Sequence, residues 1–520
     1  MLKKTLKSNY FLPSSFLQPQ NLLFLNTPES EFYTYLQEAH RLVCREPVIL
    51  EMIESDLDSL SKEKKRFRLL DKKWELSQSG QLPNIDITLF DGEIKADELR
   101  LQGGRKRMES YLVYMFLLIR GFWSGVKCSE FKLLLLESKT MELFLSSYNE
   151  GKMPGFSTIS ENINGVSNKT REFIFDAQIR MIIEEGLDDF QELTIDSTSV
   201  SGNSCWPTDS GILTGLVMRT FRRGKNLHKF GISAIGDRRF PGIIKSMREL
   251  SKGINFTVRK PGSKAKRKKL YRQLLKEARS AHKGFKSELK KVRGALSSVN
   301  IKPSQYIQLE RVIVWMEADV ESLDNVMGYC SQRINADEIT PSKDKTLSLS
   351  DQSVGFIKKG DREAVIGYKP QIGRSKNGFI PAFKVPEGNA ADSSEFLPIA
   401  KNGINRTGII PGVISCDDGY SNRVVRDYFL ERGVKVVSIS GSKGKKIIGQ
   451  EDWESEEYVE VRNNRSAVES LMFTIKYGFN FGKVMRRGIE NVRAELLEKV
   501  LAYNFCRMVE VRKWPRERVA

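Results

Sequence analysis

The chain has 520 residues, 40% hydrophobic and 29% charged, and its 84 Lys and Arg against 65 Asp and Glu give a formal net charge of +19. That length allows roughly two to four domains with sizeable cores, and the composition excludes wholesale disorder or a fibrous repeat. The surplus points to a polyanionic partner, nucleic acid ahead of an anionic membrane surface.

Six dispersed cysteines (Cys44, Cys128, Cys205, Cys330, Cys416 and Cys506) form no Cys-x-x-Cys pair, and there are only three histidines, His40, His228 and His282. This argues against a structural zinc site or a disulfide framework, so any metal must rely on carboxylates. The N-terminus has a basic start but no apolar core of signal-peptide length. The longest apolar run, Tyr111 to Ile119, falls short of a bilayer span and reads as a buried helix. A cytoplasmic protein, nucleoid-associated when on DNA and without a membrane partner, is expected.

Residues 30–80 alternate apolar and charged positions at helical spacing, placing an N-terminal helical region in 1–104. A second helical block fills 105–190. There Thr158 and Glu161 form a capping box that predicts a helix starting near residue 158. Short helices with tight connections suit a helix-turn-helix-like DNA-binding region, and a plain helical bundle equally. After Gly186, ELTIDSTSV reads as a short strand. From Arg259 to Arg293 come fifteen lysines and arginines against Glu277 and Glu288 alone, which marks residues 256–335 as a basic helical insertion. Strand patterns return at REAVIGYKPQIG and FIPAFKV, a hairpin with an Asn-Gly turn at SKNGF. Then follow a helix at SEFLPIA, a buried strand at GVISC, a helix at RVVRDYFLERG, a strand at VKVVSIS and a long helix from about Ser466. Residues 191–255 and 336–512 thus read as one discontinuous α/β domain.

Three acidic residues stand where such a fold places chemistry. Asp196 follows the apolar start of its strand, Asp417 ends a buried strand, and Glu469 lies on the late helix. Each has a structural alternative, as a turn or cap residue; Ser466 to Glu469 also reads as a capping box. On that helix Arg465, Glu469 and Lys476 fall within about 40° of one another around the axis, a carboxylate flanked by cations as metal and phosphate binding would require. Trp206 and Trp453 flank these regions; Trp453 as a wedge on a displaced base competes with the commoner role of packed aromatic.

The runs TIDSTSVSGNSCWPTDSG, KKGDREAVIGYKPQI with GFIPAFKVPEGNAAD, VISCDDGYSNR, RNNRSAVESLMFTIK and VLAYNFCRM, collinear with PGFSTISENING upstream, resemble successive regions of DDE-type insertion-sequence transposases. RNNRSAVESLMFTIK matches their Arg-x3-Glu-x6-Lys signature. The resemblance implies a ribonuclease H-like mixed sheet flanked by helices, interrupted by the basic insertion and preceded by an all-α N-terminal region. It implies Asp196, Asp417 and Glu469 as catalytic metal ligands, holding two Mg²⁺ (or Mn²⁺) ions. Arg465 and Lys476 would position phosphates, and Lys266, Arg267, Lys268, Lys269 and Arg272 would grip duplex DNA, terminal repeats and target alike. Synapsis of two DNA ends implies a homodimer or larger. Two positions depart from the family pattern: Arg462 replaces a common Tyr, and Asp418 stands where a basic residue is common, leaving Asp417 and Asp418 as alternative second ligands, with Asp417 preferred two residues before Gly419. A ribonuclease H-like nuclease without strand transfer, or a non-catalytic basic DNA-binding protein, are the alternative functions.

Overall fold

The computed structural model describes residues 31–80, 108–124, 138, 140, 154–232, 239–257, 262–359 and 363–513. The chain divides into two compact units, one of Met1–Ser59, Lys106–Asn203 and Ser353–Ala520, the other of Leu60–Arg105 and Ser204–Gln352.

The first helices are α1 (Glu31–Arg45) and α2 (Val48–Gln78), followed by α3 (Ser110–Phe122), α4 (Phe156–Gly165) and α5 (Asn168–Glu184). The apolar run Tyr111–Ile119 is buried throughout in α3. Among the described residues no helix is long and apolar enough to cross a membrane. The expected capping box is absent: Gly155 is the N-cap and no side chain caps α4. With the extended Gly155 starting the helix two residues early, Thr158 and Glu161 lie inside it. The side-chain cap comes one helix later, where Ser167 accepts from the Thr170 amide at 3.1 Å and starts α5.

Strands β1 (Glu192–Ser197) and β2 (Val200–Ser201) come next. The second unit then contributes α6 (Asp209–Lys225), α7 (Arg239–Thr257), α8 (Ser263–Ala295) and α9 (Pro303–Asn335) around an apolar core of their own. Within it the Phe240 and Phe285 rings stack at 4.4 Å.

The chain returns through β3 (Gly355–Ile357), β4 (Val365–Tyr368), β5 (Gln371–Arg374), β6 (Ala382–Lys384), α10 (Asp392–Thr407), β7 (Val413–Cys416), α11 (Arg423–Leu430) and β8 (Val436–Ile439). Short helices α12 (Ser442–Ile448), α13 (Gln450–Glu454) and α14 (Glu456–Asn464) lead to α15 (Ala467–Gly478) and α16 (Ile489–Val511). The single late helix expected from Ser466 is therefore two, broken after Gly478.

Five strands form a mixed sheet in the order β6-β5-β1-β7-β8. β1–β7 and β7–β8 pair in parallel, while β1–β5 and β5–β6 pair antiparallel, so β5 alone runs against the rest of this sheet. With its many helices this sheet is compatible with an α/β, ribonuclease H-like fold. The hairpin expected from SKNGF joins β5 and β6, with Gly378 at φ +88° as its left-handed residue. REAVIGYKPQIG, however, is not one strand. Pro370 has no N–H to give a ladder, and the run splits there, β4 entering a second sheet of order β2-β4-β3.

Gly367 sits at the centre of that second sheet, paired with Ser201 on one side and Gly355 on the other. A Cβ at Gly367 would stand 1.9 Å from the Val200 carbonyl oxygen, so no other residue fits.

Helix α16 carries the first unit's helical layer, packing against α1, α3 and α5. Gly121 permits the closest approach, since a Cβ there would meet the Glu498 carbonyl at 2.3 Å. At this crossing the buried Glu498 carboxylate accepts from Arg120 (2.8 Å), Arg171 (2.9 Å) and Arg486 (2.6 Å). Burial alone would raise that carboxyl, but the three guanidiniums outweigh it and hold it well below the usual carboxylate range. Asn504 closes the layer onto the β5–β6 hairpin, accepting from the Ile380 amide (2.9 Å) and donating to its carbonyl (3.1 Å).

Candidate active site

The first two acidic residues owe their positions to strand register. β1 and β7 pair in parallel with Ile195 beside Cys416, so the next residue of each, Asp196 and Asp417, emerges side by side at the carboxyl ends. This is where open α/β sheets present ligand-binding groups. Burial raises the Asp196 carboxyl above the usual range; Lys359 opposes that rise and the neighbouring Asp417 adds to it. The Lys359 ammonium lies 3.8 Å from Asp196 and donates to the Ser197 carbonyl. Asp196 also accepts from the Ser197 amide at 2.6 Å.

Asp417 and Asp418, adjacent in sequence, have different surroundings. Asp417 accepts only a local bond from the Gly419 amide, at 2.9 Å, as cap of the short turn Asp418–Tyr420. Asp418 turns away: one of its oxygens accepts from the amides of Lys443 and Gly444, each at 2.9 Å, and holds the start of α12.

Glu469 occupies the first turn of α15, and Ser466 offers it no capping box, because Ser466 has helical φ and ψ and makes no side-chain cap. Its carboxylate is 66% exposed and accepts from Arg465 at 3.2 Å. The Arg465 charge also acts on Asp196 and Cys416. The expected convergence is therefore partial. Asp196 and Asp417 come together, whereas among the described residues no three carboxylate, His or Cys side chains gather as a metal-holding group. Lys476 is half-buried on the same helix, its stem against Gly482. Trp453 packs with the Arg462 guanidinium 4.4 Å over its ring and Tyr458 at 5.4 Å, the packed alternative. Trp206 is 60% exposed.

Of the predicted DNA-binding residues on α8, Lys266, Lys269 and Arg272 are exposed and Arg267 is half-buried. Lys268 is committed to Asp337 at 2.9 Å.

A buried polar network beside the aspartates was missed in the sequence. Asp392, at the start of α10, accepts from Lys369 (2.7 Å) and Gln371 (3.1 Å), and Gln371 in turn accepts from the Tyr420 hydroxyl. A Cβ on Gly419 would lie 3.0 Å from an Asp417 oxygen and 3.1 Å from an Asp392 oxygen, so the network borders the Asp417 turn. GNAADSSEF looks like an ordinary helix start, and nothing in it marks a charge partner for Lys369, 23 residues away. Asp392→Asn, which leaves the buried Lys369 ammonium without its charge partner, is expected to lower stability by roughly 1–3 kcal/mol; an unchanged denaturant midpoint would make the network dispensable to the fold.

Residues 338–505 match the family model described as transposase DDE domain. The match begins within the sequence after α9 and includes Asp417 and Glu469, while Asp196 lies upstream of it. No curated protein and no solved structure matches the chain.

Proposed function

From a transposase DDE domain over residues 338–505, which supports a DDE-type transposase, we propose that the chain cuts DNA at the ends of an insertion sequence and joins those ends to target DNA in a divalent-metal-dependent reaction. The observation that carries this reading is the in-register pair Asp196 and Asp417, two carboxylates held together at strand ends despite their mutual repulsion. Adjacent hard oxygens suit Mg²⁺ or Mn²⁺, and the nearby Lys359 ammonium is the kind of positive charge such a pair attracts. Asp196 and Asp417 would hold the metal, with Glu469 as the third ligand. Bound there, two ions would activate a water or a DNA 3′-hydroxyl and neutralise charge on the transferring phosphate.

The chain's own groups supply the rest. Arg465, paired with Glu469, orients that carboxylate and offers a donor fork to a phosphate. Lys476 adds a second cation on the same helix. Asp418, with its oxygen already used by α12, is the less suited of the two candidate ligands. The α8 cations Lys266, Lys269 and Arg272 contact the duplex; synapsis of two ends calls for a homodimer or larger.

The test is purified protein with Mg²⁺ and a duplex carrying the ends of the element. Strand-joined products are expected, and Asp196→Ala, Asp417→Ala and Glu469→Ala should each abolish cutting while DNA binding persists. Cutting without joining would make the protein a nuclease. Binding without cutting would leave a basic DNA-binding protein. Near-normal activity in one variant would strike that residue from the set.

A further inference from the structure

Helix α8 separates its cations into two kinds. Lys264 and Lys268 pair with Asp337 (3.6 and 2.9 Å), Lys291 with Glu288 (2.7 Å), and Arg293 with Glu310 and Glu317 (2.9 and 2.8 Å). Lys269, Arg272, Lys276, Arg279, Lys283, Lys286 and Lys290 are all exposed and, among the described residues, none forms an ion pair. These seven alternate spacings of three and four residues, which confines them to about 100° of the helix surface over about 31 Å of its length. The opposite side carries the buried residues Leu274, Leu275, Ala278, Ala281, Phe285, Leu289 and Val292.

We propose that this stripe is a straight rail for the phosphates of duplex DNA, covering about one turn of the double helix. The inference rests on the transposase reading and narrows its DNA-binding surface from the whole basic run to one face. Like charges three and four residues apart repel, and a polyanion relieves that repulsion where the protein supplies no counter-charge. A membrane surface fits poorly, because a helix lying on lipid inserts apolar side chains, and those of α8 are packed inside the second unit. Single strands are usually bound by exposed aromatic side chains between the cations; α8 exposes none. A rigid helix with cations about 5 Å apart matches a regular duplex backbone instead.

Two double variants with the same charge change test the partition. K276Q/K283Q removes two rail cations and K264Q/K291Q removes two ion-paired ones, both on exposed positions. Affinity for a duplex of arbitrary sequence, about three helical turns long, is measured without divalent metal across a salt series. K276Q/K283Q is expected to flatten the slope of log K against log salt by close to 2, about 0.9 for each phosphate no longer neutralised, and K264Q/K291Q to leave it near the parent value. Equal flattening by both pairs, or none by the rail pair, overturns the rail, as does equal or tighter binding of single strands or of anionic phosphatidylserine vesicles. Because binding is measured without metal and cutting in a separate Mg²⁺ assay, an absent rail with intact cleavage refutes this inference alone. A rail slope as expected without any cleavage refutes the transposase reading alone.

Discussion

Asp417→Asn should reduce DNA cutting to background, whereas Asp418→Ala should leave cutting within a few-fold of the parent and lower stability instead. The two residues are neighbours of the same type, yet their oxygens do different work. Asp417 emerges beside Asp196 and makes only a local turn bond. Asp418 bonds two amides at the start of α12, an anchoring role whose loss costs typically about 1 kcal/mol. The check is cleavage rate and denaturant midpoint for both variants, side by side. Loss of cutting in Asp418→Ala with normal activity in Asp417→Asn would reverse the assignment and place the reactive carboxylate one residue along.

Glu498→Gln should destabilise the first unit by about 3–5 kcal/mol, the usual cost of breaking a buried ion pair. Three arginines converge on this carboxylate, and Arg171 is itself only 2% exposed, so water cannot take the place of the lost charge. The sign of the pH dependence follows from its depressed pKa. The carboxylate's contribution is fully present above the ordinary carboxylate pKa of about 4 and is lost as pH falls below it toward the lower value of the folded state. Denaturant titrations at neutral pH and at a pH below about 4 would show both effects. A neutral-pH loss under about 1 kcal/mol would mean the arginines find other partners.

Much of the sheet was legible because its strands announce themselves locally. GVISC and VKVVSIS are continuous apolar runs, as buried parallel strands require, and SKNGF carries its own turn. Glu469 and Lys476 share α15, whose helical period turns their spacing into one face, whereas Arg465, expected on the same helix, ends α14 and reaches Glu469 across the junction. Other features depend on partners remote in sequence. Thr158 and Glu161 have the right spacing for a cap, yet the helix starts earlier, since a glycine upstream of both already supplies the extended residue. Pro370 divides one apolar run between two sheets only because β2 and β3 are there to receive β4. The networks of Asp392 and Glu498 are invisible in sequence because their charges meet across tens to hundreds of residues. Glu469 pairs with Arg465 as their four-residue spacing allows, and what no spacing encodes is that, among the described residues, its carboxylate does not gather with the aspartates into a metal-holding group.

Gly367 has a further consequence for how the molecule can be assembled. Ser201 and Gly355 flank it on either side, so the chain leaves for the all-helical unit and comes back about 10 Å away, two strand spacings apart. To pair with β5, strand β1 must otherwise close a loop of well over a hundred residues. Once α6 to α9 have packed around their own core, that detour shrinks to a few tens of residues, and the closure entropy falls by on the order of 2 kcal/mol. Within the bundle itself, the ion pair of Asp209 with Arg333, at 2.9 Å, clips the first turn of α6 to the last turn of α9, so the way in and the way out of the detour lie together.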